Sequence, residues 1–193
     1  MECLKKFHDK KLVVGHEFDL FEQIEKYEML WGKSESVYED YEKTKSEVYS
    51  LKAFIDGHIT EKVLAHIDAV PDNFLFVKNQ QGKEEIRLID WEYAGMQDPH
   101  VDIAMFGIYS LYDREQMDQL IDAYFTEGCS RETRIKIYCY IAAGGLLWSN
   151  WCEYKEKLGI SFGEYAMRQY QYAKEYSHIV QLELQEVEKT LRA

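Results

Sequence analysis

The sequence predicts a mainly helical α+β protein with one small β-hairpin region near its middle. Three observations predict it. Apolar residues recur every three or four positions over residues 1–60 and again over 99–193, the period of an amphipathic helix. Over 61–98 the pattern changes to short runs rich in Val, Ile, Leu and Phe, bounded by turn-forming residues. The two prolines, Pro71 and Pro99, both lie at the turns and edge of that middle stretch. At 193 residues the chain is most simply one domain, residues 1–193, with a core of its own.

The elements follow in order. "DLFEQIEKYEMLW" places Leu20, Ile24, Tyr27 and Trp31 on one helical face, with Asp19 as a candidate N-cap. "YEDYEKTKSEVYSLKAFIDGH" reads as a second helix, Val48, Leu51, Phe54 and Ile55 inward and Gly57 as its stop. "KVLAHID", "NFLFVK" and "EIRLID" read as short strands. The last two join as a hairpin through "NQQGKEE", where Gly82 suits the turn. After Pro99, "DIAMFGIYSLY", "EQMDQLIDAYFTEG", "RETRIKIYCYIAAGGLLWSNWCEYKEKLG" and the segment 163–192 carry helical periodicity to the end.

Charge narrows the function. The formal net charge is -12, with no basic run. Phosphate-backbone binding needs Lys and Arg in excess, so DNA and RNA are not expected partners. Cys3, Cys129, Cys139 and Cys152 show no metal-type spacing and are expected to be reduced thiols of a cytoplasmic protein. The start, "MECLKKFHDKK", carries no apolar signal-peptide core, and the longest apolar stretch, 141–148, is too short to span a bilayer.

The middle region holds the chemistry. "VLAHIDAVPDNFLFV" sets His66, Asp68 and Asn73 in the spacing H-x-D-x-x-x-x-N, and a strand seventeen residues further on ends in Asp90. Asn73 and Asp90 are hard oxygen donors of the kind Mg²⁺ takes while keeping sites for water or phosphate. Asp68 is placed to orient a hydroxyl and accept its proton. Phosphoryl transfer needs these parts, metal to neutralise phosphate charge and a carboxylate to position the nucleophile. Each residue alone has a plainer reading. Asp68 and Asp72 could be turn formers around Pro71, His66 a core histidine and Asp90 a strand-end cap. Together, their spacing is the catalytic-loop pattern of kinases.

"HIDAVPDNFLF" with "LIDWEYAGMQDPHVDIA" resembles the choline/ethanolamine kinase family, within the aminoglycoside-phosphotransferase and protein-kinase-like superfamily. The opening "LKKFHDKKLVVGHEFDLFEQIEKYE" resembles the post-hinge region of bacterial choline kinases, so the resemblance spans nearly the whole chain. It implies a protein-kinase-like C-terminal lobe: helical over 1–60, catalytic loop and metal-binding hairpin over 61–98, helical with a choline pocket over 99–193. It implies ATP as co-substrate, Mg²⁺ as cofactor, Asp68 as catalytic base, and Asn73 and Asp90 as metal ligands. His66 would hold the catalytic loop, and Asp102 would accept backbone hydrogen bonds beneath it. Leu75 and Ile89 would form an apolar floor for adenine. Glu92, on the same side of an extended chain as Asp90, either assists the metal or is solvated. Many relatives have Asn where this chain has Ile67, so a polar contact in the loop is expected to be lost.

Trp148 and Trp151 share a helical face, and Tyr165 follows. In the family a Trp-x-x-Trp and a following Tyr line the choline pocket. Aromatic faces suit a quaternary ammonium, which donates no hydrogen bond, at about 0.5–2 kcal/mol per contact. The plainer reading makes both tryptophans core. Tyr93, Tyr109 and Tyr112 are weaker candidates.

The sequence contains no GxGxxG loop and no Lys-bearing strand before the catalytic loop. The N-terminal β-lobe of a kinase is therefore expected to be missing, and the isolated chain to transfer phosphate poorly. A partner or a second copy would then cover the exposed cleft. Two other readings stand beside this one: a non-catalytic small-cation module, or a pseudokinase, and a kinase for ethanolamine, thiamine or an aminoglycoside.

Overall fold

The computed structural model describes residues 1–32 and 36–192. In chain order the elements are α1 (Glu2–His8), α2 (Leu20–Trp31), α3 (Tyr41–Ser50), α4 (Lys52–His58) and β1 (Val63–Ala65). A 3₁₀ turn (Pro71–Asn73) follows, then β2 (Phe74–Lys78), β3 (Glu84–Leu88), β4 (Gly95–Gln97), α5 (His100–Tyr109), α6 (Arg114–Tyr124), α7 (Arg131–Lys157) and α8 (Glu164–Arg192). The chain divides into two compact units, Met1–Phe18 with Thr60–Cys129, and Asp19–Ile59 with Ser130–Ala193.

The first unit contains both small sheets. β2 and β3 form the antiparallel hairpin that the sequence implies, Phe74 opposite Leu88 and Phe76 opposite Ile86. Gly82 takes its turn at φ +76°, a left-handed conformation that glycine adopts without steric cost. β1 does not join that hairpin. It pairs antiparallel with β4, a strand absent from the sequence reading because "GMQ" is short, contains glycine and lies two residues before Pro99. Glycine is needed there: a Cβ on Gly95 would stand 3.0 Å from the Phe18 amide nitrogen. Around these strands the core is Leu4, Ile67, Val101, Met105, Ile108, Met117 and Ile121.

The second unit is a helical assembly around α7 and α8. Asp19 caps α2, its carboxylate accepting from the amides of Phe21 and Glu22 at 2.8 and 3.0 Å. The stretch read as one helix is two. α3 and α4 meet at buried Leu51, whose amide bonds three residues back to Val48, tightening the turn. Gly57 lies inside α4 and does not end it; the cap is Ile59. α7 is buried without interruption from Ile135 to Asn150, as a helix with no polar face must be.

Gly145 lets α7 and α8 approach closely. A Cβ there would stand 2.6 Å from the carbonyl oxygen of Gln169 and 2.8 Å from the amide of Ala173, both backbone atoms of α8. A Cβ on Gly107 would meet instead the flexible end of Met117. Helix propensity alone favours Ala at either position by about 1 kcal/mol. Urea denaturation should show Gly145→Ala destabilised by about 1–3 kcal/mol from overpacking, and Gly107→Ala changed far less.

Candidate active site

The loop after β1 is built on a buried carboxylate. Asp102, on the first turn of α5 and 0% exposed, accepts from the backbone amides of His66 at 2.8 Å and Ile67 at 2.7 Å. A third bond comes from His8 Nε2 at 2.8 Å. Two consecutive amides on one carboxylate fix the path of the chain where it leaves β1. That path is strained. Ile67 has φ +67°, a left-handed conformation that a β-branched residue rarely adopts, at a cost of about 1–3 kcal/mol. The two hydrogen-bonded amides and the full burial of the Ile67 side chain hold it there. Ile67 thus puts an apolar side chain into the core from within the loop.

The same loop is tied to the hairpin. His66 Nε2 donates to the carbonyl of Ile89 at 2.8 Å, and its ring lies 4.5 Å from Trp91. Its Nδ1 is buried without a hydrogen-bonding partner among the described residues. The amide of Ile89 donates to the carbonyl of Asn73 at 3.1 Å, extending the hairpin pairing by one step. Asp90 is therefore the next residue after a clamp that holds both Asn73 and His66. It too is left-handed, at φ +62°, and it is exposed.

Asp68 and Asn73 touch. The Asn73 side-chain NH₂ donates to the Asp68 backbone carbonyl at 2.9 Å and to its carboxylate at 3.1 Å. With the NH₂ committed to Asp68, the amide oxygen is the group Asn73 offers to a cation. Asp68 is half-buried, and burial raises its pKa above the ordinary carboxylate value. The Tyr109 hydroxyl, the Asn73 amide and the nearby His66 oppose that shift, while the charge of Asp90 adds to it.

His66, Asp68, Asn73, Asp90 and Asp102 are thus gathered in the first unit. By strand alternation Leu75 and Ile89 share one face of the hairpin, and they are 41% and 40% exposed. Glu92 is exposed. Among the described residues no group of three or more His, Cys, Asp or Glu side chains converges as a metal cage. The Asn73 amide oxygen and the exposed Asp90 carboxylate are oxygen donors of the kind that could hold Mg²⁺.

The second unit holds the aromatic cluster. Trp148 is 4% exposed and meets Trp151 edge to face at 5.9 Å. Trp151 is half-buried, and the Lys155 ammonium stands 5.3 Å over its ring. Phe162, which the sequence reading missed, lies 4.7 Å from Trp151 and 6.3 Å from Tyr165, joining the two. Its only sequence signal was its place in "ISFGEY", three residues before Tyr165. His8 was missed as well, since nothing in "FHDKK" marks it as the partner of a carboxylate 94 residues away.

The choline/ethanolamine kinase family matches this chain over residues 2–174. Protein LicA of Haemophilus influenzae is 27% identical over 176 residues, covering 86% of this chain and 62% of that protein. The crystal structure of choline kinase LicA from Streptococcus pneumoniae superposes with a TM-score of 0.74 at 32% identity, covering 92% of this chain and 61% of that one. A structure of LicA in complex with AMP gives 0.75 at 31% identity, covering 93% and 60%. This chain therefore spans about three-fifths of the length of these relatives. Its mainly helical fold with a small β region is of the kinase-like kind. Among the described residues no helix is long and apolar enough to cross a membrane.

The raised pKa of Asp68 has a consequence for stability. The folded chain holds this proton more tightly than the unfolded chain does. The stabilisation is present in full below the unfolded pKa, about 4, and is lost as pH rises through the folded value. Asp68→Asn should therefore raise the melting temperature at pH 7, and the gain should shrink toward zero as pH falls to about 3. Thermal melts of both proteins across that range check it; a gain independent of pH would contradict it.

Proposed function

We propose that this chain, which belongs to the choline/ethanolamine kinase family, is the catalytic and acceptor-binding portion of a cytoplasmic kinase that phosphorylates the hydroxyl of choline from ATP. The observation that carries the reading is the clip between Asn73 and Asp68 beside Asp90. On this reading Asp68 is the proton acceptor, and the Asn73 amide oxygen and the Asp90 carboxylate are the oxygen donors. As the choline oxygen forms its bond to the γ-phosphorus and the bond to the ADP oxygen breaks, Asp68 takes the hydroxyl proton. Its raised pKa makes it a stronger proton acceptor than an ordinary carboxylate. Magnesium held by Asn73 and Asp90 would offset the charge of the phosphates. His66 and Asp102 hold the loop in place, and the exposed Leu75 and Ile89 face offers the adenine an apolar floor.

Choline supplies a cation for the aromatic cluster. The Lys155 ammonium over Trp151 shows that this ring already presents a face to a positive charge. Trp151, Phe162 and Tyr165 would hold the quaternary ammonium, with Trp148 behind Trp151 as its support. The chain contains no glycine-rich loop and no strand lysine before the catalytic loop. On its own it would transfer phosphate poorly, and a longer chain or a partner would cover the hairpin face.

A second reading is favoured by one observation: the aromatic cluster lies entirely within one compact unit. That unit could bind small cations with no kinase chemistry at all.

Calorimetry and a coupled assay separate the readings. In a chain extended to the length of its relatives, Asp68→Ala should abolish turnover and leave choline affinity nearly unchanged. Trp151→Ala should weaken choline binding about tenfold, the loss of roughly 1–2 kcal/mol of cation–π attraction. Choline binding with no turnover in any extended chain would favour the binding module. Preference for ethanolamine or thiamine in an acceptor panel would change the substrate and keep the enzyme.

A further inference from the structure

Beneath the catalytic loop, a chain of buried hydrogen bonds runs on past Asp102. Tyr124, at the end of α6 and 5% exposed, places its hydroxyl 2.8 Å from His8 Nδ1. The other ring nitrogen, Nε2, lies 2.8 Å from Asp102 Oδ2. That oxygen also accepts from the amide of His66, and Oδ1 accepts from the amide of Ile67. A carboxylate only accepts, so His8 Nε2 must carry a proton. The phenol has a proton to give: burial first, then the charges of Asp9, Asp102, Asp98 and Glu61, push its pKa well above that of free tyrosine. Its ring is held against Phe125 at 4.9 Å, with the Lys5 ammonium 5.9 Å above it.

We infer that Tyr124 and His8 are positioning residues for the loop of residues 66–73, the phenol fixing the His8 tautomer and His8 fixing the Asp102 carboxylate. The order of donation decides the outcome. With the Tyr124 hydroxyl donating to Nδ1, the imidazole is left with its single proton on Nε2, aimed at Asp102. Without that donor, Nδ1 can hold the proton instead. Nε2 would then face the carboxylate with a lone pair, and the two would repel. The carboxylate would turn, and the amides of His66 and Ile67 would lose their shared acceptor. Ile67 is the residue least able to tolerate that loss, because its left-handed backbone is held by this bond. Tyr124 touches no reacting group; it acts through two intermediates.

The inference rests on reading residues 66–73 as the catalytic loop, but its readouts need no phosphoryl transfer, so either can fail without the other. In the ¹⁵N-labelled chain, long-range proton–nitrogen spectra should show His8 neutral, protonated on Nε2 and bare on Nδ1. In Tyr124→Phe, His8 should leave that state. Hydrogen exchange at the His66 and Ile67 amides should then accelerate about tenfold more than at the other amides of residues 1–18 and 60–129. Phe125→Leu disturbs the neighbouring packing without touching the hydrogen bond, and should leave both readouts unchanged. An imidazolium or an Nδ1-protonated ring in the unsubstituted chain would overturn the inference whether or not the variant folds. So would a Tyr124→Phe protein in which exchange at residues 66 and 67 rises no more than elsewhere.

Discussion

The Asp102 carboxylate is the constraint on which the site depends. A buried charge is costly unless its hydrogen-bonding capacity is filled. Here it is filled by three donors from two remote stretches of chain: His8, and the consecutive amides of His66 and Ile67. Because every donor is needed, the carboxylate fixes where the loop begins. From that point the register follows. His66 grips Ile89, Ile89 pairs with Asn73, and Asn73 grips Asp68. These three contacts fix the loop of residues 66–73 against the hairpin.

The arrangement is not optimised for stability. Two non-glycine residues, Ile67 and Asp90, hold left-handed backbones, and Asp68 keeps a carboxylate partly out of water. Each costs free energy that the rest of the fold must offset, and functional loops are where such costs collect. The offset in this unit is apolar packing beneath the loop: Ile67, Val101, Met105 and Ile108 are all fully or nearly fully buried.

Much of this was legible in the sequence, for local reasons. The hairpin announced itself through alternation and Gly82, and α2 through its apolar spacing and the Asp19 cap. What was not legible is non-local or weakly patterned. β4 exists because Gly95 lets its backbone approach Phe18, and three residues carry no period. The break at Leu51 has no proline or glycine to mark it. The links from His8 to Asp102 and from His8 to Tyr124 span 94 and 116 residues, and no local rule connects those positions. In the aromatic cluster, the spacing of Trp148 and Trp151 placed them on one face. It did not reveal that one is core, the other half-open, and Phe162 the bridge to Tyr165.

We propose that Asn73 and Asp90 hold a divalent cation beside Asp68. Titrating the labelled chain with Mn²⁺, whose unpaired electrons broaden nearby signals, tests it most directly. Broadening should begin at the Asn73 side-chain amide and at the backbone of residues 89–91, and Asp90→Asn should abolish it there. Broadening confined to other surface carboxylates, with residues 73 and 90 untouched, would contradict it.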